Sequence, residues 1–208
     1  MNDWNLLILT VYIISVIYVF YRAIKSVDNQ LRIELDKDSL AQQIDAQGLK
    51  DLIGINFELE DRYQADQVCD LSIDIENKSQ TYSISVDWDQ SSLTNFDGRS
   101  RRVIRLMPGM TLDLFQPQAL SVIAPSKTLK EYFTAEDALK RNSEGVLEIA
   151  SPLFVPDKLI KASERGDQFL LRLILQVSDP ASGTGGGRPY ALLCEFKVIK
   201  LPWTDALG

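Results

Sequence analysis

A long run of uncharged, mostly apolar residues near the start of the chain constrains this sequence most. The run is LLILTVYIISVIYVFY, and no charged residue occurs between Trp4 and Tyr21. A helix over this run would be about 27 Å long, which is close to the hydrocarbon core of a bilayer at about 30 Å. Aromatic side chains that suit the two membrane–water interfaces stand at its ends: Trp4, Tyr18 and Tyr21. The run therefore predicts a transmembrane anchor over residues 1–22.

A secretion signal and a buried core helix are the alternatives for this run. A signal peptide begins with a basic region and ends at a cleavage site of small residues. Residues 1–3 contain no Lys or Arg, and the run is followed by YRAIK. A core helix would be shorter and more interrupted. A retained anchor is therefore predicted, with Arg22 and Lys25 beside Tyr21 at the second interface.

The basic residues around the run all follow it: Arg22, Lys25, Arg32 and Lys37. Cytoplasmic flanks of membrane helices carry an excess of Lys and Arg. This asymmetry predicts a single-pass protein of a bacterial-type inner or internal membrane, with the following domain in the cytoplasm. A periplasmic domain is the alternative.

Composition argues against several function classes. The chain has no histidine, which removes the commonest general base near neutral pH and the commonest metal ligand. The formal net charge of -7 disfavours nonspecific binding to nucleic acid, because no positive field attracts phosphates. We therefore expect no enzymatic activity, no cofactor, no metal site and no nucleic-acid partner.

The two cysteines, Cys69 and Cys194, each lie in a segment of alternating apolar residues. Two buried, reduced thiols that pack as small apolar groups are the favoured interpretation. A disulfide between them is the alternative, and it would imply an oxidising compartment.

From about residue 51 the apolar residues alternate with period two, which is typical of strands with one face on a core. Such segments begin near Ile53, Leu71, Ile84, Val103, Leu112, Leu120 and Leu129, and two long ones cover Phe169–Val177 and Tyr190–Leu201. They predict an antiparallel immunoglobulin-like β-sandwich over 51–203, with an irregular or short helical insertion at about 135–166 and a tail at 204–208.

Residues 23–50 are harder to assign. Ile24, Val27, Leu31 and Leu35 follow helical spacing, whereas Leu31, Ile33 and Leu35 alternate as in a strand. A helical juxtamembrane stalk ending near Gly48 is the favoured prediction.

The stretch LSIDIENKSQTYSISVDWDQSSLTNFDGRSRRVIR, followed by PQALSVIAPSKTLKEYFTAED, combines several turn and core features. They are Asn-Lys-Ser after a strand, a Val-Asp-Trp strand, Ser-Ser-Leu, Asp-Gly, a basic strand and Ile-Ala-Pro. This pattern, over residues 68–137, resembles bacterial membrane-associated immunoglobulin-like or fibronectin-III-like domains of unassigned function. The resemblance implies the sandwich fold and supplies no catalytic residue. The retained anchor and the missing lipobox cysteine depart from the envelope lipoproteins of that kind.

Five arginines are the candidate contacts for a partner or for lipid: Arg99, Arg101, Arg102, Arg105 and Arg188. Guanidinium groups suit anionic headgroups and acidic protein surfaces. For the first four, a solvated edge strand protected from aggregation by charge is the favoured interpretation. Arg188 closes a glycine-rich hairpin loop, 179–189, that lacks the Gly-Lys-Ser/Thr of a phosphate loop.

The acids of Asp87-Trp88-Asp89 could offer oxygens to Ca²⁺, but no ligand series or glycine turn accompanies them. A strand with Trp88 in the core and solvated acids is the favoured interpretation. Together these features predict a membrane-anchored, non-catalytic interaction module, which would be an accessory, assembly or scaffolding component of a membrane protein complex. A tethered sensor domain that binds a small molecule or an ion is the alternative.

Overall fold

A computed structural model describes residues 3–28, 30–109, 116–179 and 187–201, without the side chains of residue 3 and residues 23–28. Its elements are α1 (Asp3–Asp28), β1 (Gln30–Leu35), α2 (Lys37–Ala46), β2 (Ile53–Glu58), β3 (Tyr63–Gln64), β4 (Leu71–Asn77), β5 (Ser83–Thr94), β6 (Ser100–Leu106), β7 (Ser121–Ile123), β8 (Thr128–Ala135), a 3-10 helix (Glu136–Ala138), β9 (Leu139–Arg141), β10 (Leu147–Ile149), α3 (Pro156–Arg165), β11 (Gln168–Ser178) and β12 (Arg188–Lys200). The predicted strand residues Leu112 and Leu114, most of the glycine-rich loop and the tail lie outside the described residues.

Helix α1 contains a segment, Trp4–Arg22, that is long and apolar enough to cross a membrane. Its large apolar side chains are exposed along the whole segment, from Trp4 at 76% to Tyr21 at 62%. The hydroxyls of Thr10 and Ser15 donate hydrogen bonds to carbonyls four residues earlier in the helix, so the helix satisfies its own polar side chains. A secretion signal would pass the same test of length and composition.

The predicted interface residues Trp4, Tyr18, Tyr21 and Arg22 are all exposed on this helix. The Lys25 side chain lies outside the described residues.

The prediction of a helical stalk is wrong for residues 30–35. Helix α1 ends at Asp28, and β1 begins at Gln30 and pairs antiparallel with the end of β12. Leu31 and Ile33 are fully buried in the main core, so tertiary pairing decides between the helical and the alternating pattern of the same residues. Helix α2 follows, and the Asp36 side chain caps it by accepting a hydrogen bond from Ser39 N at 2.9 Å.

Ten strands of the described chain form one antiparallel sheet in the order β2-β4-β8-β6-β5-β11-β12-β1-β3, and β7 pairs with β5. This confirms the prediction of a mostly-β, antiparallel domain. Strands β2 and β12 are far apart in the order of the sheet, yet Phe57 on β2 and Phe196 on β12 lie with 4.9 Å between their ring centroids. This contact shows that the sheet is curled. One core therefore lies between the two halves of the curled sheet.

Strand β6 joins the two halves of the sheet. Its first residues pair with β5, where Arg102 lies opposite Ser92. Its later residues pair with β8, where Val103 lies opposite Ala135. Consequently, β6 is a central strand with neighbours on both sides.

The main core contains the largest fully buried rings, Trp88, Phe133, Phe169 and Phe196. Phe169 and Phe196 stack with 4.8 Å between centroids. Trp88 Nε1 donates a hydrogen bond to Ser121 Oγ at 2.8 Å, which provides the polar partner that a buried indole requires. Trp88 is thus the core residue that its strand pattern predicted.

Residues 135–166 contain the 3-10 helix, the β9–β10 hairpin and α3. The intervening segment Ser151–Pro156 places Leu153 and Phe154 in the main core. Helix α3 ends at Arg165 and is capped by Gly166, whose φ of 69° lies in the left-handed region that glycine adopts without strain. This segment brings apolar side chains to the turn between β5 and β6, where the candidate site lies.

Candidate functional site

The arginines of the sequence lie on or beside β6, but β6 is not the predicted edge strand. Val103 belongs to the main core, and Ile104 packs in a second small core with Leu139 and Leu147 of the β9–β10 hairpin. Both faces of β6 are therefore covered by protein. We therefore expect the arginines on this strand to be paired with carboxylates or carbonyls of the same domain, since burying an unpaired charge is costly.

Arg102 pairs with Asp89 on neighbouring β5. Its Nε donates to Asp89 Oδ1 at 3.1 Å, and Gln118 N donates to Asp89 Oδ2 at 2.7 Å. Burial alone would raise the pKa of Asp89, but the hydrogen bonds from Arg102 and Gln118 outweigh it and lower the pKa of this carboxyl below its ordinary value. Asp89 is consequently held in the charged form by its partners, and the prediction of a solvated acid is wrong here.

Arg105 pairs with Glu131 on β8 and also reaches the core. Its Nη1 donates to Glu131 Oε1 at 3.2 Å and to Ser121 Oγ at 2.7 Å. Ser121 is the residue that accepts the hydrogen bond of Trp88. These contacts give Arg102 and Arg105 partners within the domain. That the five arginines contact a partner or lipid stays a prediction.

The exposed arginines lie at two separate places. Arg99 is exposed at the turn between β5 and β6. Arg188 is exposed at the start of β12, where its guanidinium lies 5.2 Å from the ring centroid of Tyr190. Arg99 lines a cavity together with another predicted arginine, Arg101.

Arg101 has an unusual environment. Its side chain is 9% exposed, and its Nη1 donates to the Leu153 carbonyl at 2.7 Å and to Asp137 Oδ1 at 3.1 Å. The guanidinium lies 5.4 Å from the ring centroid of Phe154, in the range of a cation–π contact. Its Nε and Nη2 are buried and have no hydrogen-bond partner in the described part of the chain.

The cavity beside Arg101 has a volume of about 330 Å³. The turn Asn95–Arg99 forms one side of it, and the segment Ser151–Pro156 with the first turn of α3 forms the other. Asn95 shapes the turn, because its Oδ1 accepts hydrogen bonds from the N–H groups of Asp97 and Arg99 at 3.1 and 3.0 Å. We call this cavity the Arg101 pocket.

A second cavity, of about 370 Å³, lies among Glu60, Tyr63, Cys69 and Asp70. Burial, followed by the charge of Glu60, raises the pKa of Asp70 above its ordinary value. In the part of the chain that the structure describes, no group of three or more His, Cys, Asp or Glu side chains could hold a metal ion. Asp87, which the sequence analysis considered as a Ca²⁺ ligand, accepts hydrogen bonds from the backbone and side chain of Gln90.

Both cysteines are free thiols. Cys194 is fully buried, and burial raises its pKa to about 12. Cys69 is half-buried, and burial followed by the charges of Asp70 and Asp66 raises its pKa. Both groups are therefore protonated, weak nucleophiles near neutral pH.

Sequence reasoning missed the residues that complete the Arg101 pocket, namely Phe96, Asp137, Leu153 and Phe154. Two signals were present, the NFDGR turn and the apolar Ser151–Pro156 segment. Neither signal shows that segments about 50 residues apart meet, because only the curled sheet and the insertion bring them together.

Comparison of the chain with family models, with curated proteins and with solved structures finds no match. The functional argument therefore depends on the geometry of the molecule. The likeness to immunoglobulin-like and fibronectin-III-like domains stays a prediction.

Proposed function

We propose that this protein is a membrane-anchored, non-catalytic interaction module, and that it serves as an accessory, assembly or scaffolding component of a membrane protein complex. The observation that carries this proposal is the exposed apolar helix α1, which is separated from strand β1 by a single residue. With so short a connection, an anchor in lipid would hold the folded domain at the membrane surface. A domain held there acts through what it binds at that surface.

The chemistry of the described side chains supports a binding role. The chain has no histidine, and its buried ionisable groups on β6 are engaged in structural pairs. The two thiols have raised pKa values, so both are poor nucleophiles near neutral pH. These features favour recognition over covalent or acid–base catalysis.

A finer proposal concerns the fold. The two facing halves of the curled sheet would form a sandwich of the immunoglobulin-like or fibronectin-III-like kind, as the resemblance over 68–137 implies. The contact between Phe57 and Phe196 supports two facing layers. An experimental structure whose strand connections differ from those folds would contradict this proposal.

The proposed location of the domain is the cytoplasmic side of a bacterial-type inner or internal membrane, with the periplasmic side as the alternative. The basic residues Arg22, Arg32 and Lys37 after the apolar run support it. The free thiols are compatible with a reducing compartment. Protease accessibility of the C-terminus in sealed vesicles tests this location, and cleavage from the periplasmic side alone would overturn it.

Copurification tests the interaction role. The full chain, purified in a mild detergent after crosslinking in the membrane, should carry a membrane-protein partner in a fixed ratio. Arg188→Gln and Arg99→Gln, each at an exposed predicted contact, should reduce the yield of that partner if the arginine is part of the contact. A chain that runs alone in its micelle after efficient crosslinking would overturn the proposal.

A tethered sensor domain for a small molecule or ion is the second candidate, and the Arg101 pocket is the observation that favours it. A cavity with an apolar wall and a few converging polar groups is typical of ligand sites. A thermal-shift panel of small molecules, with calorimetry for calcium, tests it, since a ligand that binds the folded state raises its stability. No stabilisation by any compound would reject the sensor role.

A further inference from the structure

We infer that the Arg101 pocket binds a carboxylate carried by an apolar or aromatic group, with Arg101 and Arg99 holding the carboxylate and the aromatic wall holding the rest. This inference rests on the second of the two proposed functions and names its ligand. Three independent observations converge on it, namely the unpaired edge of Arg101, the charge balance of the pocket and the composition of its walls.

The two unpaired nitrogens of Arg101, Nε and Nη2, lie on one edge of the guanidinium, and this edge can bind a carboxylate. Nε–H and one N–H of Nη2 point the same way from one edge of the planar guanidinium, and this fork matches the two oxygens of a carboxylate. These two nitrogens are the ones without a hydrogen-bond partner among the described residues. The remaining nitrogen, Nη1, is occupied by Leu153 and Asp137, and these bonds fix the orientation of the free edge.

The charge balance of the pocket favours one negative charge. Three cations and two carboxylates line it: Arg99, Arg101, Lys158, Asp97 and Asp137. Lys158 pairs with Asp97, and Arg101 pairs with Asp137, which leaves the charge of Arg99 at the mouth.

The walls of the pocket favour an apolar body on the anion. Phe96 and Phe154 contact each other with 5.1 Å between centroids, and Leu153 and Val155 extend the apolar surface. A bare oxyanion such as phosphate would leave this surface unfilled and would bring a second negative charge near Asp97 and Asp137. The cavity of about 330 Å³ has the size of a ligand such as a small aromatic acid.

Binding requires a small movement of the pocket wall. Nε and Nη2 of Arg101 are covered in this structure, so the carboxylate would meet the exposed Arg99 first and would reach Arg101 as neighbouring side chains shift. The same chemistry occurs in a free aromatic acid and in the C-terminal residue of a polypeptide. The experiment therefore includes a probe for each source.

The full chain in phosphatidylcholine nanodiscs is titrated by calorimetry and thermal shift with 3-phenylpropionate, N-acetylphenylalanine, the amides of both, and inorganic phosphate. We expect at least one carboxylate to bind saturably and at least tenfold more tightly than its amide, and phosphate to bind more weakly than that carboxylate. Preference for 3-phenylpropionate assigns a free small acid, and preference for N-acetylphenylalanine assigns a polypeptide C-terminus. Equal binding of acid and amide, or tighter binding of phosphate, would overturn the inference.

Two substitutions locate the site. Arg101→Lys keeps the charge but removes the fork, and it should weaken carboxylate binding about tenfold or more. Arg99→Gln changes an exposed residue and should weaken binding several-fold without a change in melting temperature, whereas the matched Arg188→Gln should bind as the parent does. If Arg101→Lys fails to fold, the Arg99 and Arg188 pair decides alone, and equal affinities for that pair would reject the pocket.

The outcomes also separate this inference from the sensor role. Stabilisation by another compound of the wider panel, without any carboxylate binding, would leave the sensor role standing and reject this ligand. An absence of binding by every probe and every panel compound would reject both.

Discussion

Helix α1 and strand β6 reverse the usual distribution of residues, and they do so in opposite ways. Helix α1 exposes large apolar side chains between Trp4 and Tyr21. Strand β6 carries arginines into the interior, where Arg101 and Arg105 are 9% and 15% exposed. Carboxylates of the same domain stabilise the arginines of the strand. The apolar side chains of the helix stay exposed, as they would in a segment that crosses a membrane. The following predictions test the exposed helix and the buried parts of the domain in turn.

The largest expected effect comes from placing charges in the middle of α1. Ile13→Arg combined with Ile17→Arg should disfavour membrane insertion by about 5–7 kcal/mol, since each arginine near a helix centre costs about 2.5–3.5 kcal/mol. Alkaline carbonate extraction of membranes measures the loss of anchoring. The matched control is Ile13→Leu with Ile17→Leu, which should stay membrane-bound. Retention of the double-arginine chain would show that α1 is not held by lipid.

A smaller effect should follow from removing one charge beside β6. Glu131→Gln leaves Arg105 without its anion at a mostly buried position, and we expect a loss of about 2–3 kcal/mol, somewhat below the range for fully buried pairs. Glu58→Gln is the matched control, because Glu58 pairs with Lys130 where both side chains are about half exposed; its loss should be clearly smaller than that of Glu131→Gln. Chemical denaturation of the full chain gives both values. Equal losses would mean that burial does not distinguish the two pairs.

The pair of Arg102 and Asp89 predicts a dependence on pH. Hydrogen bonds from Arg102 and Gln118 outweigh the effect of burial and lower the pKa of Asp89. A carboxyl whose pKa is lower in the folded state stabilises the fold above its ordinary pKa of about 3.9, and this contribution is lost as pH falls through the lower folded value.

Asp89→Asn should therefore be less stable than the parent near neutral pH, and this difference should shrink below about pH 4. Urea unfolding at several pH values measures it, with Asp51→Asn at an exposed position as the control. A difference between Asp89→Asn and parent that is independent of pH would contradict the assigned pairing.

The smallest effect concerns the cysteines, since labelling them need not change stability. Cys194 is fully buried with a pKa of about 12, so a maleimide should modify it only after unfolding. Cys69 is half-buried and should react slowly in the folded chain. Mass spectrometry after timed labelling of the parent, Cys69→Ser and Cys194→Ser distinguishes the two thiols. Rapid labelling of Cys194 in the folded chain would contradict the core that the structure describes.

Much of the fold could be predicted from the sequence, because strand residues that face one core alternate strictly. The alternation that begins at Ile53 and Leu71 corresponds to β2 and β4, and the long segments near the end correspond to β11 and β12. The same signal was ambiguous at Leu31 and Ile33, where helical and alternating spacings overlap. At these residues a strand forms rather than a helix, because the end of β12 lies alongside and pairs with them.

The candidate site was predicted only in part. The arginines were recognised as a cluster, but β6 was predicted as an edge strand, and its central position became visible only from the pairing with both β5 and β8. Pairing partners such as Asp89 and Glu131 could not be assigned, because the chain has 29 acidic residues and sequence gives no distances between them. Consequently, the buried fork of Arg101 had no sequence signal of its own.

By itself, the sequence determined the apolar segment near its start, the mostly-β character of the domain and the absence of histidine. These properties depend on composition and on local period, which the chain carries in any environment. Only the tertiary structure decided that 30–35 is a strand, that three arginines of β6 have internal partners and that one of them keeps an unpaired edge beside a cavity. The physical reason is that burial and pairing of charges depend on distances between residues remote in the chain, and folding alone sets those distances.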